Sequence, residues 1–216
     1  TLLKKIKYPI VCANLFDQKS GETLVEPAKI LVTKNNVKIL FIGLFPSARK
    51  YAEKNKLKIV ESLPVVKELS AKYDNDVDLT VIISHMGVED DYKIANQLRD
   101  TGVDLIIGGH SHTFIEKIDE NLAIPVVQAN FNGTHIGILD IVIHKENKKI
   151  EKIKNYELLP TYGHKIQKDE EIDRIVQGEL EKIADDLKPI ATIDKPLLQE
   201  SRTEETPLGN FSVDAL

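Results

Sequence analysis

Cysteine is almost absent from this sequence, which contains a single one, Cys12, in 216 residues. A disulfide framework within the chain is therefore impossible, and the cellular compartment stays open. Cys12 lies inside the apolar run 9–13, where a small buried side chain is favoured over a reactive thiol. No apolar run approaches the ~20 residues of a membrane-spanning helix, so we expect no membrane span in this sequence.

Excess positive charge is also missing. The formal net charge of -5 argues against a nucleic-acid polymer as the partner. It does not exclude a small anionic substrate, because a bound metal ion can supply local positive charge. The sequence also lacks a P-loop, a Gly-x-Ser-x-Gly nucleophile motif and paired cysteines. The histidines and acidic residues are left as candidates for a functional site.

The composition, 42% hydrophobic and 29% charged, is typical of a soluble globular protein with a sizeable core, and the sequence contains patterns for both strands and helices. Asn35 and Asn36 predict a hairpin turn, and Ser62 is a candidate helix cap. The strands are predicted at residues 8–14, 29–33, 37–44, 77–84, 104–107, 124–129, 133–143, 149–158 and 191–199. The helices are predicted at residues 64–73, 89–100 and 168–188 and from residue 207 onward.

Both ends of the sequence have helical patterns. Residues 1–7 resemble the end of a helix without its start, and residues 207–216 resemble the start of a helix without its end. We therefore expect the chain to be a segment of a longer protein. After residue 160 the sequence leads into a charged amphipathic helix, and a new strand pattern begins after residue 190. We therefore predict a domain boundary near residue 190.

Histidines follow two buried strands in settings rich in glycine. The segment 108–113 reads GGHSHT and follows the apolar run 103–107, while His85 follows the run 77–84. His110 and His112, spaced i, i+2, are expected on the same side of an extended backbone. The alternative for a histidine at a strand end is a simple capping or hydrogen-bonding role, which the repeated glycine-flanked pattern disfavours.

Neutral imidazole is a ligand for zinc, manganese or iron, and open α/β sheets bind ligands beyond the carboxyl ends of their strands. His85, His110 and His112 are therefore predicted to bind one metal ion or two adjacent ions. The other histidines have no such setting and are interpreted as surface or strand-pairing residues: His135, His144 and His164. The clustered acids are interpreted as solvated loop or helix N-terminal residues: Asp74, Asp76, Glu89, Asp90 and Asp91.

These motifs resemble a known family. The segments 84–87 (SHMG) and 104–113 (DLIIGGHSHT) resemble the two C-terminal motifs of the dinuclear metallophosphoesterases, and within them the 5'-nucleotidase and 2',3'-cyclic-nucleotide phosphodiesterase family. Residues 8–14, 37–44 and 126–137 resemble the core segments around these motifs. Residues 202–215 resemble the opening of the family's C-terminal substrate-binding domain.

The resemblance implies an α/β fold in the form of a partial α-β-β-α sandwich, with the first elements of a second α/β domain. Residues 1–165 would be the C-terminal half of the catalytic domain, residues 166–190 a connecting helix, and residues 191–216 the start of the C-terminal domain. It also suggests an extracellular, periplasmic or cell-surface location and leaves the oligomeric state open.

The resemblance also assigns roles at the site. Two divalent metal ions, zinc, manganese or similar, are implied in the parent protein. His85 and His110 resemble ligands of the second metal, and His112 occupies the position of a first-metal ligand. The family's aspartate and asparagine ligands and its catalytic histidine belong to upstream motifs that this sequence does not contain, so no catalytic residue is expected here and the substrate-binding residues stay unknown.

The function implied is metal-dependent hydrolysis of a nucleotide or another small phosphoester, of the 5'-nucleotidase or cyclic-nucleotide phosphodiesterase type. The alternative is a non-catalytic binding or interaction module on the same fold. A related hydrolase of sulfur compounds is a weaker possibility. The segment alone is expected to be inactive.

Overall fold

The computed structural model describes residues 5–47, 49–144, 146, 149–162, 166–189, 192–199 and 204–215. The chain divides into two compact units, the first ending at residue 164 and the second beginning at residue 165. The assignment of residues 166–190 to a connecting helix, with a domain boundary near residue 190, stays a prediction. The assignment of residues 191–216 to a further domain stays a prediction.

The first unit alternates strands and helices. Its described elements, in chain order, are β1 (Leu15–Asp17), β2 (Ala28–Val32), β3 (Lys38–Leu44), α1 (Arg49–Lys54), β4 (Leu57–Ile59), α2 (Ser62–Tyr73), β5 (Leu79–Ser84), α3 (Val88–Gln97), β6 (Leu105–Ile107), β7 (Val126–Val127), β8 (His135–His144) and β9 (Lys149–Pro160). The α/β fold predicted from the sequence is confirmed.

The main sheet has the strand order β2-β3-β5-β6-β7. β2 and β3 are antiparallel and joined by the predicted turn, where Asn36 has φ +60° and the Thr33 N–H donates to the Val37 carbonyl at 2.9 Å. β3, β5, β6 and β7 run parallel. Consecutive parallel strands release their following loops at one edge of the sheet, which is where the histidine segments begin.

Each face of this sheet carries its own apolar cluster, because side chains alternate along a strand. On one face, Ile82 and Ile106 pack with Val66 of α2 and Ile94 of α3. On the other face, Val81, Leu105 and Val127 pack with residues of β8 and β9, among them Leu139 and Ile150. The first unit is thus layered as helices, the main sheet and the β8–β9 sheet.

The predicted strand over residues 8–14 is wrong. Val11 makes an isolated bridge to Glu26, and regular pairing begins only at Leu15. The segment crosses closely over Gly43, where an added Cβ atom would collide with the Val11 carbonyl group. The Ala13 N–H donates to the Gly43 carbonyl at 2.8 Å. Residues of this run are buried because the segment packs across the end of the sheet at Gly43, not because it pairs with a neighbouring strand.

Two smaller predictions also fail. Ser62 is the first residue of α2 rather than its cap; the capping position is Glu61, which makes no side-chain capping bond. The Ser62 hydroxyl instead accepts from the Asn14 amide at 3.2 Å. α3 ends at Gln97, before the predicted limit at Asp100, because the turn through Asp100 (φ +60°) and Gly102 (φ +79°) is not helical.

The second unit contains α4 (Glu170–Lys182) and α5 (Pro207–Asp214), which confirms both predicted helices in shortened form. Asp169 caps α4 by accepting from the backbone N–H groups of Glu171 and Ile172, each at 3.0 Å. The strand predicted at 191–199 is not formed over its described residues, 192–199. Across the parts of the chain that the structure describes, no helix has the length and apolar character needed to cross a membrane.

Candidate metal centre

The two histidine segments emerge side by side at the carboxyl edge of the main sheet. β5 and β6 are parallel neighbours with Ile83 opposite Ile107, so the residues that follow them leave the sheet together. The His85 N–H donates to the Leu44 carbonyl at 3.0 Å, and the Gly108 N–H donates to the Val127 carbonyl at 2.8 Å. Backbone pairing with the flanking strands thus fixes the start of each loop.

His85 and His110 are brought into direct contact. Their ring centroids lie 5.0 Å apart, with the ring planes at 66°. Gly109 makes this approach possible, because a Cβ atom there would come within 3.3 Å of the His85 Nδ1 atom. Two nitrogens on one zinc ion lie at most about 4 Å apart, since each Zn–N bond is about 2.1 Å, and two adjacent rings can present that spacing. The pair therefore suits a shared metal ion.

His112 makes a ring contact of its own. Its ring stacks on Phe131 at 5.5 Å between centroids and 26° between planes. The expectation that His110 and His112 share one side of an extended backbone is wrong, because both adopt left-handed conformations, with φ +70° and +57°. The Ser111 N–H donates to the Gly109 carbonyl at 2.8 Å, which closes a tight turn between them. Such strained backbone is concentrated at functional sites.

A buried amide supports the loop that carries His110 and His112. Gln128 is 3% exposed and follows β7 directly. With its amide assigned to satisfy the network, the oxygen accepts from the His112 N–H at 3.1 Å and the Thr113 N–H at 2.9 Å. Its NH₂ group donates to the Ser111 hydroxyl at 3.1 Å. The Ser111 hydroxyl also accepts from the Val88 N–H at 3.0 Å, which ties this loop to the start of α3.

Asp91 is a residue of the site that sequence reasoning missed. Its position near the start of α3 predicts a solvated acid, yet it is fully buried and accepts a hydrogen bond from the Ser84 hydroxyl. Burial raises the pKa of Asp91 to about 6, against the opposing effect of the Ser84 hydrogen bond. A signal was available: Asp91 precedes Ile94 and Ala95 by three and four residues, so it lies on the apolar stripe of α3.

The electrostatic setting favours the neutral imidazole of His85. Partial burial lowers the pKa of His85, and the nearby His110 and His112 lower it further. Metal ions bind the deprotonated ring, so this shift favours binding near neutral pH. Within the described ranges, however, no three His, Cys, Asp or Glu side chains converge as a complete metal site.

The remaining histidines are placed as predicted where the structure describes them. His135 opens β8 opposite Pro160, and His144 closes it opposite Lys149, so both are strand-pairing residues. The His135 ring contacts Phe114 edge-on at 4.9 Å. His164 lies outside the described residues.

Known proteins resemble this chain in sequence, although no family model matches it. An apyrase of Aedes aegypti is 29% identical over 200 residues, covering 79% of this chain and 34% of that protein. A metallophosphoesterase of Bacillus subtilis, YunD, is 23% identical over 145 residues, covering 67% of this chain and 31% of that protein. A 5'-nucleotidase-related protein of Glossina morsitans morsitans is 26% identical over 238 residues, covering 97% and 42%. The chain thus spans well under half the length of these relatives.

Solved structures share the fold. A Thermus thermophilus sulfate thiohydrolase, SoxB, superposes with a TM-score of 0.76 at 19% identity, covering 87% of this chain and 34% of the other. A 5'-nucleotidase precursor from the same organism superposes with a TM-score of 0.75 at 20% identity, covering 91% and 42%. The resemblance predicted from the histidine motifs is confirmed: the chain is a homologue of the apyrases, 5'-nucleotidase-related proteins and metallophosphoesterases and has part of the 5'-nucleotidase metallophosphoesterase fold.

Proposed function

We propose that the protein is a metal-dependent phosphoester hydrolase that acts on nucleotides, of the 5'-nucleotidase or cyclic-nucleotide phosphodiesterase type. The observation that carries this proposal is the contact between the His85 and His110 rings at the carboxyl edge of the parallel sheet. The names of the sequence relatives, apyrase and 5'-nucleotidase-related protein, support the nucleotide as substrate.

The proposed ligand assignment follows the grouping of the rings. His85 and His110 would bind one divalent ion together, and His112, held on Phe131, would bind a second one. Bound divalent metal stabilises negative charge on phosphoryl oxygens and makes water a nucleophile near neutral pH. The chain's own contribution is to orient the imidazole rings and, at His85, to favour the deprotonated ring. The identity of the two ions, zinc, manganese or similar, is part of the proposal.

We also propose that this chain supplies only part of the catalytic machinery. An imidazole ligand brings no negative charge, and holding two cations close together requires carboxylate charge between them. Residues 1–165 would then be half of a catalytic domain, with residues 166–190 as a connector and residues 191–216 as the start of a substrate-binding domain. The 31% to 42% share of the relatives' length that the chain covers supports this division.

The test is a phosphate-release screen on the natural full-length protein with manganese or zinc, using nucleoside mono-, di- and triphosphates and cyclic nucleotides. We expect turnover of at least one nucleotide and its loss in His85→Ala and His110→Ala. His144→Ala, at the far end of β8 from His135, is the matched control and should retain activity. Residues 1–216 alone should be inactive.

Other outcomes would contradict the proposal. A protein that binds metal and nucleotide but releases no phosphate would be a binding module on the same fold. Release of sulfate from a sulfur compound, without nucleotide turnover, would instead indicate a sulfur-compound hydrolase. Activity of residues 1–216 within tenfold of the full-length protein would disprove the division of the machinery.

A further inference from the structure

The carboxyl group of Asp91 is enclosed by protein, unlike its neighbours in the first turn of α3. Asp91 has 0% exposed surface, whereas Asp90 forms an exposed ion pair with Lys93 at 2.9 Å. Removing a carboxyl group from water is unfavourable unless its oxygens find partners. A buried acid on an otherwise apolar stripe therefore needs a specific explanation.

One oxygen of this carboxyl group holds the loop that carries His85. The Ser84 hydroxyl donates to Asp91 Oδ1, and the same hydroxyl accepts from the Met86 N–H at 3.1 Å. Ser84 and Met86 are the residues on either side of His85. The chain of hydrogen bonds from Met86 through Ser84 to Asp91 thus fixes the backbone from which the His85 ring projects.

The other oxygen lies against the loop that carries His110. A Cβ atom on Gly108 would lie 2.6 Å from Asp91 Oδ2, so the backbone at residue 108 packs directly on the carboxyl group. Asp91 Oδ2 has no hydrogen-bond partner among the described residues. Gly108 is followed by Gly109, whose lack of a Cβ atom leaves space for the His85 ring. One buried side chain therefore contacts both histidine-bearing loops.

We infer that Asp91 is a positioning residue that sets the relative placement of the His85 and His110 rings, acting through Ser84 on one loop and through Gly108 on the other. Its role as a support for metal binding rests on the proposed function; its role in placing the two rings does not. An unpartnered buried oxygen is a poor source of stability, which is consistent with a positioning role rather than a purely structural one.

The experiment compares Asp91→Asn, Asp91→Ala, Ser84→Ala and the double variant Ser84→Ala/Asp91→Ala in the full-length protein, with Asp90→Asn as the matched control. Two readouts are used. The imidazole C–H chemical shifts of His85 and His110 are recorded in the metal-free protein, and Co²⁺ affinity is measured by titration of its visible absorption. Asp91→Asn keeps the side-chain shape, so the comparison survives if Asp91→Ala fails to fold.

We expect both imidazole shifts to move in the Asp91 and Ser84 variants and to stay unchanged in Asp90→Asn. Co²⁺ affinity should fall about tenfold in each single variant. Losses of this size are typical when a residue that orients a metal ligand is replaced. Because the effect of Ser84 on the His85 loop passes through Asp91, the double variant should lose little more than Asp91→Ala alone. Asp90→Asn should bind within twofold of the parent.

Unchanged imidazole shifts in Asp91→Asn and Ser84→Ala would overturn the inference, and so would single losses that add fully to about a hundredfold in the double variant. If the parent protein itself binds no Co²⁺, the proposed function fails, and the metal-free shifts still decide whether Asp91 places the two rings.

Discussion

His85 and His110 follow different strands, yet their imidazole rings meet edge to face at 5.0 Å between centroids. The parallel pairing of β5 with β6 brings the loops together, and Gly109 leaves the space that the His85 ring needs. This contact is the geometric basis for the proposed shared metal ion, and changes that disturb it have distinct expected effects.

Gly109→Ala should weaken metal binding. The added Cβ atom would lie 3.3 Å from both the His85 Nδ1 atom and the Ser84 carbonyl oxygen, so the imidazole must move away. We expect Zn²⁺ or Co²⁺ affinity to fall by about tenfold, as for other disturbances around metal ligands. Competition with a chromogenic chelator measures this loss.

Gly178→Ala is the matched control for that substitution. Gly178 lies in α4, and a Cβ atom there would meet nothing within 4 Å. Replacing a helical glycine by alanine should stabilise the helix by about 0.5–1 kcal/mol and leave metal affinity unchanged. Equal metal affinity in Gly109→Ala and Gly178→Ala would contradict the role assigned to Gly109.

Gly108→Ala should instead destabilise the fold. Its Cβ atom would lie 2.6 Å from Asp91 Oδ2, in a region too well packed to relax freely. Overpacking of this kind costs about 1–3 kcal/mol of unfolding free energy. Urea denaturation of the metal-free protein measures it, and a loss below about 0.5 kcal/mol would show that the carboxyl group moves aside without cost.

Asp91 should also make stability depend on pH. Burial raises its folded-state pKa to about 6, above the value near 3.9 expected in the unfolded chain. Its stabilising contribution is therefore present in full below pH ~3.9 and is lost as pH rises through about 6, where a buried charge opposes folding. Relative to that of Asp91→Asn, the unfolding free energy of the parent should increase by about 2 kcal/mol when the pH is lowered from 7 to 4.

Denaturation of the parent and of Asp91→Asn across this pH range measures the difference between their unfolding free energies. The titration of all other carboxyl groups cancels in this difference. A parent-minus-variant difference for Asp91 that is flat from pH 4 to pH 7, or that falls with decreasing pH, would contradict the assigned burial of this acid.

Local patterns predicted much of the fold correctly. The apolar runs before His85 and His110 form β5 and β6, and the Asn35–Asn36 turn joins β2 to β3. Residues 8–14 failed because an apolar run reports burial, and burial here comes from crossing Gly43 rather than from strand pairing. That crossing is a long-range contact with no signature in the local sequence.

The site was predicted in part. The glycine-flanked histidines identified the loops, whereas the i, i+2 spacing of His110 and His112 was misleading because both residues have positive φ. Asp91 was missed because acidic residues near the start of a helix are usually solvated. Its position on the apolar stripe of α3 indicates burial instead, as the structure shows. Which rings meet depends on loop conformation, which residue spacing alone does not determine.

Metal binding by the histidines of these loops can be measured as the metal content of the purified protein. The full-length protein, the triple variant with alanine at His85, His110 and His112, and His144→Ala should be purified identically and analysed for bound metal by elemental analysis. We predict bound divalent metal in the parent and in His144→Ala and a large loss in the triple variant. Unchanged metal content in a folded triple variant would contradict the account.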